Sequence, residues 1–579
     1  MYVKRTVRRR GDKEYTYLSL VEAVRSGGKN TQRELFRLGE VGELERTGQL
    51  DRIVAALSSY TNKHWIASDE LEGAGAPSYG AVAAIACYFD RVGLRTHFAG
   101  LGEGRRHQHL ADTVFVMVAN RLLDPASKRH TILEWLSQVA LPDGVSAPLL
   151  DQCYRALDVI AEQKEATEEV LYRRLTDLSN LDLRLALYDL TSTYFETSRG
   201  SSEDFSSRAY GYSRDKRGDR PQVVIGLLVT GNGIPIAHYV FPGNTRDSTT
   251  LQQVMTDYQA RFGVGKIALV CDRGLISEQN LADVAAAGFD HVLATRLHHD
   301  GDVAAVLERA AAVGDDAWSA VPGFPGTKAF EVNHGGRRFV AVSSAERKAR
   351  DDRRREELLA RTEQKLITLA DRVRAGKLVD PAKIGAAADR ILRDSGVARC
   401  FAVTIRHGVF SWRFDEEALA YEEKLLSGRY VLTTSLQPEQ ASVTDIVRHY
   451  KMLQNVERRF RVMKDFLGLR PVHHRLEERV RAHIALCVIA AVIEAVMGDD
   501  LAAAQLKDPD LPEQTMTPRR ALAELGKIRR HHLHAGRDIE LVDRPDKLQR
   551  QILDAFRVED STWGRAKLAL LNEQGCVIT

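Results

Sequence analysis

Between Leu183 and Thr295 short apolar runs take turns with stretches at helical spacing. LRLALYDLTSTYFE, from Leu183, is apolar and rich in β-type residues, with Asp189 near the end of its apolar part. QVVIGLLVTGNGIPIAHYVFPGN, from Gln222, holds two apolar runs around Asn232-Gly233, the pair a tight primed hairpin turn demands. Asp247 to Phe262 has helical spacing, and KIALVCDRGLIS is a short apolar strand that ends in Asp272. A helix from about Ser277 to Ala287 and a last short strand, HVLAT, complete the order strand, hairpin, helix, strand, helix, strand.

A second pattern dominates Ser442 to Leu467. Ile446, Leu453, Val456, Phe460, Met463 and Leu467 recur at steps of seven, three, four, three and four. That stripe predicts one long amphipathic helix packed along one side. Tyr450, Glu457 and Lys464 are seven apart, so they share a line beside the stripe, drifting about 20° per step. Arg448, Lys451, Arg458, Arg459 and Arg461 surround them. One carboxylate in a basic field suits a place where a metal ion meets phosphate; a solvated salt-bridge lattice is the plainer reading of the same helix.

The remaining chain supplies the frame. Residues 1–40 read as a small basic β-rich segment, with Lys4, Arg5, Arg8, Arg9 and Arg10 on an edge that either meets DNA phosphates or resists aggregation. Residues 41–178 read as a helical domain for DNA binding or dimerisation. Residues 179–299 form the first part of an α/β core. Residues 300–428 form a β-rich insertion with a charged helical hairpin around Arg347 to Arg374. Residues 429–499 return to the core, with the Glu457 helix, and 500–579 form a C-terminal region with a possible dimerisation role. The most apolar run, Ile484 to Met497, is too short to span a bilayer and contains Glu494, so it reads as a buried helix.

Composition narrows the class. At 579 residues several cores are needed. A chain 44% hydrophobic and 28% charged reads as soluble and globular. The net charge of +3 is small, so any nucleic-acid argument rests on how the charge clusters. Six widely spaced cysteines with no C-x-x-C pair fit a reducing compartment and argue against a zinc site. The first residues have no apolar core, so no secretion signal is expected, and a cytoplasmic location is expected.

Three carboxylates then stand out: Asp189, Asp272 and Glu457. Two end buried strands, and the ends of open α/β strands are where polar groups converge in a cleft. Carboxylate oxygens suit Mg²⁺, or Mn²⁺, and an incomplete protein shell leaves room for water and phosphate. Two ions about 4 Å apart could activate a water or a 3′-hydroxyl and stabilise the leaving oxygen. Each acid alone is better explained as a cap, a turn or an ion-pair partner. FGVGKIA lacks the spacing of a phosphate-binding loop, and Gly231-Asn232-Gly233 belongs to a turn, so no nucleotide cofactor is expected.

YDLTSTYFE, GYSRDKRGDRPQVVIGL, FPGNTRDSTTL, VCDRGLIS, YKMLQNVERRFRVMK and LRPVHHRLEERVRAH together resemble bacterial insertion-sequence DDE transposases of the insertion-sequence-four type, over most of the chain. That family's last motif runs Tyr, two residues, Arg, three residues, Glu, six residues, Lys. Tyr450, Glu457 and Lys464 fit it, while Leu453 holds the arginine place, leaving a phosphate contact to Arg458 or Arg461. The resemblance implies an RNase H-like mixed sheet core interrupted by a mainly β insertion. It implies Asp189, Asp272 and Glu457 as metal ligands, with Tyr450 and Lys464 positioning phosphate. It also implies double-stranded DNA (terminal inverted repeats and target) as partner, and a homodimer in the synaptic complex. The function implied is metal-dependent cleavage at the repeat ends and strand transfer into target DNA. The alternatives are a structure-specific nuclease of the same core without strand transfer, or a catalytically inactive sequence-specific DNA-binding protein.

Other DNA contacts are expected from Arg448 and Lys451, while Arg470 and His474 take either a structural or a DNA-side role. Arg217 and Arg220 either touch DNA or decorate a loop. Trp412, like Trp318, lies in the insertion, where an aromatic in some relatives stacks on a flipped base; core packing is the plainer role for either. His473-His474 and His531, His532 and His534 lack a third ligand at usable spacing for a metal.

Overall fold

A computed structural model describes residues 1–26, 29–58, 60, 72–102, 104, 107, 109–178, 185–197, 206–262, 268–271, 278–295, 301–406, 408–534, 538–559, 566–568, 570–571 and 577–578. The chain divides into two compact units, one of residues 1–76, 530–543 and 562–579, the other of 77–529 and 544–561.

In the first unit, strands Tyr2–Arg10, Lys13–Ser26 and Lys29–Glu40 form an antiparallel sheet in chain order. These strands are longer than the short ones the sequence suggests. The basic residues of the first strand are exposed, and Arg9 pairs with Glu14 at 3.2 Å. Two helices, Val41–Arg46 and Gln49–Ser58, follow in the same unit. A second antiparallel sheet joins Glu72–Gly75, Arg530–His534, Asp538–Val542 and Ala566–Leu568.

The second unit is built on a nine-stranded sheet. Its strands are β1 (Leu185–Tyr194), β2 (Gln222–Thr230), β3 (Pro235–Pro242), β4 (Ala268–Cys271), β5 (Asp290–Ala294), β6 (Ser319–Ala320), β7 (Thr327–His334), β8 (Arg337–Ser344) and β9 (Arg429–Thr434). Their order is β6-β7-β8-β9-β5-β4-β1-β2-β3. β1, β2 and β3 are an antiparallel meander, while β4 runs parallel to β1 and β5 parallel to β4. That is the RNase H-like mixed core, and the insertion extends its sheet through β6, β7 and β8. β1 and β2 are buried along almost their whole length, which is why they read as unbroken apolar runs; sheets covered on both faces lose the two-residue alternation.

The hairpin between β2 and β3 forms, but with a different turn. Gly233 has φ +82°, and Asn232 does not share a positive φ, so the primed two-residue form is excluded. Gly233 donates instead to the carbonyl of Thr230 at 2.8 Å, and four residues link the strands.

Four helices place the site. α1 (Ala345–Arg374) leaves the end of β8; α2 (Val443–Lys451) and α3 (Leu453–Arg461) follow β9; α4 (Glu477–Ala503) lies in the core. At 27 residues, with a mean hydropathy of 2.0 over its most apolar stretch, α4 is longer than the apolar run implied and long enough to cross a membrane. Its most apolar stretch is 94% buried by protein, however, so it is the central helix of this unit. Helices Gly80–Arg91, Leu110–Leu123 and Leu150–Glu162 pack on it, and Asp158 pairs with Arg479 at 2.9 Å. Glu168 fastens that helical layer to the sheet, accepting from the backbone N–H of His238 at 2.9 Å and from Arg261 at 2.6 Å.

Candidate active site

The stretch Ser442 to Leu467 begins as its sequence demands. Ser442 caps α2 in a reciprocal box with Asp445: the Ser442 hydroxyl accepts from the Asp445 N–H, and the Asp445 carboxylate accepts from the Ser442 N–H, both at 3.2 Å. The helix is not continuous. At Met452 the spacing tightens, and Asn455 N–H reaches the Met452 carbonyl at 2.8 Å, a three-residue step. From Val462 to Phe466 it widens into a π turn, closed by Leu467 N–H on Val462 O at 3.0 Å. Ile446, Val456, Phe460, Met463 and Leu467 are buried as the stripe requires. Leu453 is only half-buried: it opens α3 just after the joint and faces a cleft rather than the core.

That cleft has a volume of about 330 Å³. Asp189 from β1 and Tyr450 and Glu457 from the two helices line it together. The hairpin turn steadies the helix beneath: Asn455 donates to the Gly231 carbonyl at 2.8 Å, and a Cβ on Gly233 would stand 2.9 Å from Asn455 Cβ. On the buried side Arg459 donates to Glu494 of α4. These contacts fix the rotation of α3 and turn Glu457 outward. Glu457 is exposed, and its carboxylate has no hydrogen bond or ion pair among the described residues. Asp189 is half-buried, and the backbone N–H of Leu190 donates to its Oδ1 at 2.8 Å.

Asp272 lies outside the described residues. Cys271, the last residue of β4, pairs with Tyr188 of β1, and in the sequence an aspartate follows each of the two. Among the described residues no three His, Cys, Asp or Glu side chains gather as a metal site. Asp189 and Glu457 are nonetheless hard oxygen donors facing one cleft, the donor chemistry a divalent cation takes.

The opposite wall comes from residues the sequence reading did not single out. Ser344, Glu346, Arg347 and Arg350, at the start of α1, and Tyr430 of β9 line the same cleft. The Arg347 guanidinium lies 5.1 Å from the centre of the Tyr430 ring, which is 5.6 Å from that of Tyr450. Burial pushes the Tyr430 hydroxyl well above the ordinary tyrosine range. Lys451 reaches the same wall, 4.8 Å above the Phe324 ring, and burial lowers its ammonium below the ordinary lysine range. The available signal was a serine that caps a helix packed with arginines at its first turns.

The structure separates several expected partners from the cleft. Lys464, in the π turn, donates to Asp215 at 2.7 Å, and Arg470 meets the same carboxylate. Asp215 is buried, so these two cations neutralise an interior acid. Arg217 and Arg220 are held by Asp219 and Glu196, with Arg217 to Asp219 at 2.9 Å. His474 sits against the His483 ring at 5.6 Å, and burial with Lys128 and Arg121 nearby lowers its pKa to about 4. It therefore carries no positive charge at neutral pH. Trp412 packs between Phe401 and Phe414 in the small hydrophobic core of the insertion, and Trp318 packs on Phe330 at 5.8 Å. Arg448 pairs with Asp445 at 3.4 Å. Arg458 and Arg461 are exposed beside Glu457, with no ion pair among the described residues.

Residues 184–493 match the family model of a transposase DDE domain, and residues 3–70 match that of the IS1634 family transposase N-terminal domain. No curated protein matches the chain. Among solved structures it is similar to a piggyBac transposase synaptic complex with hairpin DNA, at 9% identity and a TM-score of 0.35, over 77% of this chain and 79% of that one.

Proposed function

This chain belongs to the DDE transposase family, is an enzyme of DNA transposition that works with divalent metal ions, and on that premise we propose that its reaction takes place between Asp189, Asp272 and Glu457. The observation that carries the assignment is Glu457: an exposed carboxylate with no ion pair among the described residues, on an otherwise basic helix and in one cleft with Asp189. Supporting it, β4 leads straight into Asp272 from the residue that pairs beside Asp189.

Magnesium is the ion we assign, since all three side chains offer hard oxygens. Bound there, it would lower the pKa of an attacking water and neutralise charge on the leaving oxygen. The protein's own part is to orient the phosphate. The Tyr450 hydroxyl and the Lys451 ammonium line the cleft beside the acids, and Arg347 and Arg350 face them. A phosphodiester held there meets the cations Lys451, Arg347 and Arg350 as well as the carboxylates. Water adds to phosphorus, the 3′-oxygen leaves and takes a proton, and a 5′-phosphate and a 3′-hydroxyl result. That hydroxyl then attacks a second phosphodiester in line, expelling another 3′-oxygen, so joining needs no further energy source.

In this reading the substrates are terminal inverted repeats and target duplex, and the working complex is a homodimer on paired ends in the bacterial cytoplasm at the nucleoid. The helical region 41–178 and the C-terminal region 500–579 are the candidate DNA-binding and dimer surfaces. The test is Asp272→Asn with inverted-repeat DNA and Mg²⁺. Binding should persist while cleavage stops; nicking at the wild-type rate sinks the assignment. Cleavage without joined products would favour the nuclease alternative, and sedimentation with and without DNA checks the dimer.

A further inference from the structure

Arg347 faces two hollows at once. One is the acidic cleft; the other, about 700 Å³, lies in the insertion between α1, the end of helix Pro381–Arg393, and the segment that follows it. Five arginines line this second hollow (Arg347, Arg354, Arg355, Arg393 and Arg399) against two acids, Asp351 and Glu422. Asp351 is already engaged by Arg347 at 3.4 Å and by the Gly428 N–H at 3.2 Å. Arg355 is tied to Asp352 and Glu423. Arg350, Arg354, Arg393 and Arg399 are exposed, with no ion pair among the described residues. Arg347, Arg350 and Arg354 are spaced i, i+3, i+7, so they share one face of α1 and span about 10 Å of it.

We infer that this face is a track for a single nucleic-acid strand, which leaves the acidic cleft past Arg347 and Arg350 and lies with its phosphates against Arg354, Arg393 and Arg399. The inference rests on the reading of the cleft as the phosphodiester site. Arginines without local counter-ions along one line attract a polyanion. The track opens into a site where phosphate is the reacting group, which selects a nucleic acid over an acidic protein segment. The cleft's small volume favours one strand over a duplex.

The test measures binding of a short mixed-sequence single-stranded oligonucleotide across a salt series, without divalent metal, by the full chain. Each lost phosphate contact should reduce the slope of log K against log salt by about 0.7. Arg350→Gln/Arg354→Gln/Arg399→Gln should therefore lower the slope by about 2, and lysine at the same three places should restore it. Arg353→Gln/Lys365→Gln/Arg372→Gln, also three exposed cations of α1 but outside both hollows, should leave the slope unchanged. An unchanged slope in the first triple variant overturns the track. So does an equal loss in the second, or displacement of the oligonucleotide by polyglutamate at matched charge. Glu457→Gln runs beside them: if it still cleaves repeat-end DNA, the site assignment has failed, whereas a failed track with cleavage lost in Glu457→Gln leaves the site standing.

Discussion

Arg459 and Glu494 form an ion pair in the interior, each side chain less than a tenth exposed, and through it the helix that carries Glu457 is bolted to α4. Arg459 Nε is also buried without a hydrogen bond, so Glu494 is the carboxylate that ion-pairs with the guanidinium among the described residues. Removing the acid alone breaks the buried pair and leaves the guanidinium only the more distant charge of Asp499. Glu494→Ala should lower the unfolding free energy by about 3–5 kcal/mol. Glu494→Ala/Arg459→Met should recover much of that loss, since a buried pair is often replaceable by apolar groups. Denaturant unfolding of the two variants checks both statements.

Glu457 offers the opposite case. It is exposed and has no hydrogen bond or ion pair to lose among the described residues, so Glu457→Gln should change the unfolding free energy by less than about 0.5 kcal/mol. DNA binding should persist and cleavage should be lost. A melting curve with a gel assay for nicked repeat-end DNA separates this from a folding defect. A large loss of stability together with intact cleavage would place Glu457 among structural residues.

The contrast between those residues marks how far the sequence could be read. Tyr450 and Glu457 were legible because seven-residue spacing survives a slight tightening at Met452. Lys464 shares the spacing but lies in the π turn, and its partner Asp215 is 249 residues away in the chain. No local pattern announces such a contact. Leu453 looked like one more step of the stripe, but the joint at Met452 turns it to the cleft. The core strands were legible because β1 and β2 are covered on both faces. The wall with Arg347 and Arg350 was not: the first turns of α1 are charged on every side and give no periodic signal of which face meets a site.

Gly428 sets the position of that wall. It has φ +71°, and a Cβ there would lie 2.5 Å from Lys348 Cβ and 2.9 Å from the Ser344 carbonyl oxygen. Its N–H also donates to Asp351, so the strand entering β9 is clamped to the first turns of α1. Gly428→Ala should cost about 2–3 kcal/mol, from backbone strain and from displacing α1. DNA cleavage should fall as well, because Arg347 and Arg350 move with the helix. Gly335→Ala, at φ +57° with nothing within 4 Å, is the control. It should cost about 1 kcal/mol and leave cleavage alone.

Two half-buried histidines give the fold a pH dependence with a defined sign. Burial is the main cause that lowers His291 and His474 from the ordinary 6.5 to about 4. Arg337 adds to the effect at His291 and Asp290 opposes it; Lys128 and Arg121 add to it at His474. The unfolded chain thus binds a proton at each near pH 6.5 that the folded chain refuses until about pH 4. Their contribution is fully present above pH 6.5, is lost progressively on acidification through that window, and loses nothing further below it. Each histidine accounts for at most about 3 kcal/mol of that loss. Urea unfolding at a series of pH values should give a steeper acid decline for the wild type than for His291→Gln or His474→Gln. Parallel curves between pH 6.5 and 4 would mean the two rings are protonated as readily in the fold as outside it.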